Sequence, residues 1–368
     1  MSNSHHGTCT IFELGYFGHN VISLLKKILR RMTFRSRTML QRQSQIAAPF
    51  VAFLFFLYWF IETASGLAAT SPLLPVMFDS CNGHHRDLQY HPEQPERIVA
   101  CVKALDKARN ERGTPLELID IAPAPEAIHS EGGKHAIITT THRPFSREEL
   151  EYAREILLET HEKSLVTKLE EKSEKSRRLR IDAGKSPLGH MGYIDFDTYL
   201  TTETFNVCLR ATAAWIRATN IAMGKESSST GSSAAIALTR PPGHHATFDN
   251  SNGFCHFNFA AAAAVHVMRQ YPNSRVSILD WDVHYGQGVA DIIRRHDRAR
   301  FVSIHQTPAF PYQGEKFGIQ GQHTNVFTIP MPAETSWSKY KIVFREMIKT
   351  ENMIFSSNNS SYLRSMRL

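Results

Sequence analysis

The segment Ile278–Gly288 reads ILDWDVHYGQG, and it holds the densest set of reactive side chains in the 368-residue chain. An extended strand over Arg275–Val283 would direct Asp280, Asp282 and His284 to one side and Trp281 and Val283 to the other, because strand side chains alternate. Gly286 ends the strand. The three polar groups then stand at its carboxyl end, where open α/β sheets bind ligands. Two carboxylates and an imidazole repel one another unless a cation sits among them, and zinc accepts both oxygen and nitrogen donors. Taken alone, a D-x-H at a strand end more often caps the following helix.

Two further segments lie upstream within about 50 residues. RPPGHHA, Arg240–Ala246, uses two prolines and a glycine to shape an irregular loop that presents His244 and His245 side by side. Adjacent imidazoles can divide the work of proton acceptor and electrostatic partner near neutral pH. A surface pair in a turn is the plainer alternative. GFCHFNFAAAA, Gly253–Ala263, allows close backbone approach at Gly253, while Phe254 and the later Phe310 could wall an apolar slot. Either phenylalanine could equally be ordinary core.

The elements that must hold these loops follow from periodicity. Short apolar strands are predicted at Val76–Asp79, Ala234–Leu238, Arg275–Val283, Arg300–Ile304 and Val326–Ile329. Helices are predicted near Pro95–Arg109 and over Ser146–Lys175, Thr202–Met223, Phe259–Arg269 and Val289–Arg295. Strand–helix alternation points to an α/β fold with a mainly parallel sheet flanked by helices.

Together, R-P-P-G-H-H-A, G-F-C-H-F-N, D-W-D-V-H-Y-G-Q-G and S-I-H-Q resemble the histone deacetylase family, its class II branch in particular. Weaker echoes are H-P-E-Q-P-E-R at His91–Arg97 and D-T-Y at Asp197–Tyr199. The resemblance covers roughly residues 76–345 and implies an arginase/deacetylase-like fold with a catalytic zinc. It matches Asp282 and His284 to metal ligands, His245 to the general base and His244 to its electrostatic partner. Asp280 is matched to the carboxylate on His244 and, with Ser303, to a structural potassium site. Gly253, Phe254 and Phe310 are matched to the walls around the substrate's acyl-lysine stem. Gln287 stands where the family usually has Asp or Asn to orient the second histidine, and as an amide it raises that ring's basicity less. Tyr285 replaces a common histidine and is given no role.

The implied reaction is hydrolysis of the amide of acetyl-lysine in histones or other proteins. Acetylpolyamines or other small acetylated amines are the alternative substrates. The family's third metal ligand is a later aspartate, and its transition-state tyrosine follows a glycine pair. No aspartate follows Asp297 here, and none of Tyr312, Tyr340 or Tyr362 follows two glycines. The sequence reading is therefore of a fold incomplete on its C-terminal side, with a divergent polar tail at 346–368 and impaired catalysis. A non-catalytic fragment acting through binding is the remaining alternative.

Composition sets the limits. Hydrophobic residues are 42% and charged residues 21%, which argues against wholesale disorder and a polytopic membrane protein. Five scattered cysteines with no C-x-x-C pair support neither a disulfide framework nor a zinc finger. Of the net +7, most resides in residues 1–61, where seven basic residues face one acid. The body is close to neutral, so no direct nucleic-acid binding is expected. Residues 1–70 read as a basic leader around an uncharged run at 46–61, followed by small residues as at a cleavage site. That pattern predicts a signal or membrane anchor, membrane contact through 46–61, and a secretory, organellar or membrane location. A start at Met39 would give an ordinary signal geometry. A true start further downstream would leave a nuclear or cytoplasmic protein.

Overall fold

The apolar runs become the strands of two sheets in a computed structural model that describes residues 8–13, 72–124, 138–226, 232 and 234–349. In chain order the strands are β1 Thr8–Glu13, β2 Leu74–Phe78, β3 Leu116–Asp120, β4 Thr141–His142, β5 His190–Tyr193, β6 Tyr199–Thr201, β7 Ile236–Leu238, β8 Arg275–Asp280, β9 Ala299–Thr307, β10 Gly318–Gln320 and β11 Val326–Pro332. The helices are α1 Glu96–Arg112, α2 Arg147–Thr160, α3 Lys163–Asp182, α4 Thr204–Ala222, α5 Phe259–Gln270, α6 Gln287–Ile293 and α7 Trp337–Lys349.

One sheet has the order β4-β3-β2-β7 and is parallel throughout. The other has the order β1-β8-β9-β11-β10, with only β10 antiparallel. Strands β5 and β6 form a small antiparallel pair. The mainly parallel, helix-flanked architecture expected from the sequence is thus present, divided between two hydrogen-bonded sheets. Within the stretch read as a leader, the alternating TCTIFE of β1 pairs in register with all of β8, from Thr8 opposite Arg275 to Glu13 opposite Asp280. The run at 46–61 lies outside the described residues. Among those residues no helix is long and apolar enough to cross a membrane.

Helix ends follow local chemistry. Ser146 and Glu149 form a reciprocal capping box on α2, and Gly113, at φ 64°, closes α1 in the left-handed conformation that glycine adopts freely. Asn258 caps α5 by accepting from the Ala261 N–H at 3.0 Å. The alanines that follow are all buried and let α5 lie close to β8 on one side and α4 on the other.

Several elements differ from the sequence expectation. The charged helix expected over Ser146–Lys175 is two helices, broken at His161–Glu162, where His161 is extended (φ −117°, ψ 164°). The strand expected to reach Val283 stops at Asp280, because side chains capture the next backbone N–H groups. Strands β1, β3, β4, β5, β6 and β10 and helix α7 were not expected. The LELID run of β3 is buried on both faces and so lacks the alternation that marks a half-exposed strand.

Candidate active site

Strands β7 and β8 belong to different sheets, and the loops leaving their carboxyl ends meet. After β7, the loop turns at Gly243 and delivers His244 and His245, whose rings lie 3.9 Å apart between centroids. Its position is fixed by the start of α6, where the Gly288 and Val289 N–H groups donate to the His244 carbonyl at 3.0 and 3.2 Å. A side chain at Gly288 would place its Cβ 2.2 Å from the Ala246 oxygen, so only glycine allows this approach.

After β8, the chain leaves the strand through two consecutive side-chain turns. The Asp282 N–H donates to Asp280 Oδ1 at 3.0 Å, and the His284 N–H donates to Asp282 Oδ1 at 2.6 Å. Asp282 and His284 therefore converge through these turns, and strand alternation is not what brings them together. Alternation does hold for Trp281, which packs with Leu279, Val302 and Ile304 on the opposite layer.

The polar groups pair in a defined order. His244 Nδ1 donates to Asp280 Oδ2 at 3.0 Å, and His245 Nδ1 donates to Gln287 Oε1 at 2.6 Å. Each bond leaves the Nε2 atom of a neutral ring as the proton acceptor. Burial and the neighbouring His244 hold the His245 pKa well below the ordinary histidine value, against the smaller opposing effects of Gln287 and Asp282. His245 is thus a neutral base at neutral pH. Replacing Gln287 by glutamate sets a carboxylate against Nδ1 and stabilises the imidazolium. The expected result is an upward shift of the His245 pKa, read by NMR titration of the ring.

The ring of His284 stands 5.8 Å from that of His245, and Phe310 lies edge-on to both, at 4.9 Å from His245 and 6.1 Å from His284. Gly253, at φ 56°, passes so close that a Cβ there would meet His245 Cδ2 at 2.7 Å. Phe254 also has a left-handed backbone (φ 67°), held by its N–H donating to Thr198 Oγ1 at 3.0 Å, and its ring packs on His91. Ser303 is the register partner of Asp280, and its hydroxyl donates to His305 Nδ1 at 2.9 Å. Tyr285 packs against the His305 ring.

Asp282 and His284 suit zinc in donor type. Asp282 Oδ1 and His284 Nδ1 are 3.0 Å apart, near the roughly 3.3 Å expected of two donors that each bind one tetrahedral ion at about 2 Å. Burial opposes the Asp282 charge, but His244 and the hydrogen bonds from His284 hold its carboxyl below the usual range. The donor number falls short: among the described residues no group of three or more His, Cys, Asp or Glu side chains is placed to hold a metal ion.

A second, buried cluster underlies the histidine loop. Arg240 makes a two-pronged contact with Glu93, Nε to Oε1 at 2.7 Å and Nη2 to Oε2 at 2.6 Å. It also donates to the Asn82 carbonyl at 2.7 Å and to the Tyr199 hydroxyl at 2.8 Å, and Tyr199 donates onward to Glu93. The motif echoes at His91–Arg97 and Asp197–Tyr199 thus meet the first residue of R-P-P-G-H-H-A. Those echoes were the only sequence signal for this cluster.

Several known proteins are similar to this chain in sequence or fold. A probable deacetylase of Archaeoglobus fulgidus is 36% identical over 202 residues, which cover 54% of this chain and 53% of that protein. Acetylpolyamine amidohydrolase 2 of Pseudomonas aeruginosa is 33% identical over 183 residues, 47% of this chain and 51% of that protein. The chain spans about half or less of the length of the curated relatives it matches first. A crystal structure of an acetylpolyamine aminohydrolase from Burkholderia pseudomallei shares the fold, with a TM-score of 0.50 at 20% identity over 75% of this chain and 78% of that one. The family profile of the histone deacetylase domain matches residues 91–356, a stretch that contains both histidine pairings and the D-W-D-V-H turn, and the chain belongs to that family.

Proposed function

We propose that this chain carries the site of a zinc-dependent deacetylase that hydrolyses the amide of acetyl-lysine in histones or other proteins. The observation that carries the reading is the buried paired set His244–Asp280 and His245–Gln287, close to buried Asp282 and half-buried His284. Asp282 and His284 would hold the zinc, which when bound polarises the amide carbonyl and the attacking water. His245, neutral and oriented by Gln287, takes the proton of that water through Nε2. His244, tied to Asp280, stabilises the charge that then develops on its neighbour. Gly253 and Phe310, both against the His245 ring, would wall the site, with Phe254 as a further proposed wall residue, and such an apolar wall admits a neutral acetylated amine and holds the charged product amine poorly. Asp280 with Ser303 is the proposed place of a structural potassium ion.

Acetylated polyamines are the second substrate class, favoured by the names of two of the proteins this chain resembles. A binding role without catalysis is favoured by the two-donor count. Assays on an acetyl-lysine peptide and an acetylpolyamine, with and without added zinc, separate the three. Turnover that needs zinc supports hydrolysis, and the better substrate names the class. No turnover of either substrate at saturating zinc leaves the binding role. Metal retention gives an independent check: Asp282→Asn is expected to weaken zinc binding at least ~10–100-fold, the loss seen when even a supporting residue of a metal site is removed. Equilibrium dialysis with zinc measures it.

A further inference from the structure

The break between α2 and α3 places one side chain where no charge–relay or ligand role applies. His161 is almost wholly buried, and its ring spans two separate loops of the site. Its Nδ1 lies 2.8 Å from the Thr247 carbonyl, two residues after His245. Its Nε2 lies 2.9 Å from the Asn258 N–H, at the end of the Gly253–Phe257 segment. A carbonyl only accepts and an N–H only donates, so one form of the ring satisfies both: neutral, with the proton on Nδ1. The next backbone group follows the same path, since the Glu162 N–H donates to the Phe248 carbonyl at 2.7 Å.

We propose that His161 is a positioning residue that fixes the histidine loop against the Gly253–Asn258 wall. Asn258 closes the same joint from its other side: Nδ2 donates to the Ala246 carbonyl at 3.0 Å while Oδ1 caps α5. The loop between Gly243 and Thr247 is thereby held at three successive points: the His244 carbonyl by α6, the Ala246 carbonyl by Asn258, and the Thr247 carbonyl by His161. His245, whose ring must face Gly253 and Phe310, sits between the first two. Removal of the imidazole leaves the Thr247 carbonyl and the Asn258 N–H without their partner and frees one side of the joint. Burial keeps the ring neutral, with a pKa lowered to about 4 against the opposing backbone contacts at Thr247 and Phe248 and the charge of Asp291.

The catalytic consequence rests on the deacetylase reading, so the test reads the joint itself first. In the full chain, nitrogen-15 NMR of the imidazoles should show His161 as the Nδ1-protonated tautomer at neutral pH. The opposite tautomer, or an average of the two, would overturn the proposal even if no variant folds. His161→Phe keeps the ring volume and removes both bonds. It should speed amide exchange at Asn258 about tenfold more than at core amides of β9, and move the His245 ring resonances. His161→Gln, which retains one amide group for the joint, should restore part of both effects. Equal acceleration of Asn258 and β9 amides with unmoved His245 resonances would mean a purely structural role and sink the proposal. Where turnover is measurable, the same variant should lower kcat with little change in KM. A chain without turnover but with the expected NMR results would fail the deacetylase reading and leave the positioning of His245 intact.

Discussion

Substitution of His245 by alanine is expected to lower turnover by ~10²–10⁴-fold, the contribution typical of a positioned general base. The size of the effect follows from how the ring is held. Gln287 binds Nδ1 at 2.6 Å, so Nε2 is the free lone pair, and burial keeps it unprotonated at neutral pH. His244, whose Nδ1 is bound to the Asp280 carboxylate, keeps the proposed electrostatic role, and it is the His245 ring that stands against Phe310. The decrease should appear in kcat at saturating substrate and zinc. Zinc retention by the variant should stay within a few-fold of the parent, since the proposed donors are Asp282 and His284. Unchanged turnover would remove the proposed role.

The largest stability effect is expected at Glu93. Truncation to alanine leaves Arg240 charged, buried and facing no carboxylate, a loss that costs about 3–5 kcal/mol. A lowered midpoint in denaturant unfolding at unchanged slope measures it. Joint replacement of Glu93 and Arg240 by apolar residues of similar volume should recover much of the loss, because the desolvation of both charges then disappears. The pair also sets an acid limit. Burial alone would raise the Glu93 pKa, but the charge and hydrogen bonds of Arg240, with His85 and Arg97, hold it at about 2. The folded value lies below the unfolded one, so this contribution is complete above about pH 4.5 and is lost as the pH falls towards 2. Acid unfolding of the parent should fall in that window, and the paired apolar variant should lack this component.

The chemistry of the site was legible in the sequence wherever its partners lie close along the chain. ILDWDVHYGQG, the histidine doublet and Gly253 all declare unusual backbone or side-chain needs within a few residues. The mechanism of convergence was misread at Asp282 and His284. Strand alternation and a pair of side-chain turns give the same i, i+2 grouping, and only the backbone distinguishes them. The break at His161 was invisible because helical spacing runs through it, and the groups that capture the ring come from Thr247 and Asn258, about 90 residues away. The Arg240–Glu93 pair was hidden for the same reason. A charged residue in a loop reads as solvated unless its partner, 147 positions distant, is known.

The residues of the site come from two sheets that, among the described residues, share no strand-to-strand hydrogen bonds, with His244 and His245 following β7 and Asp280, Asp282 and Gln287 in or after β8. Neither half can organise a reactive centre by itself. Each sheet itself joins segments far apart in the chain, β1 with β8 and β2 with β7, and the imidazoles meet their carboxylate and amide only when the two halves dock. The paired site therefore exists only in the docked arrangement, and separation of the halves dissolves it without breaking a bond inside either sheet.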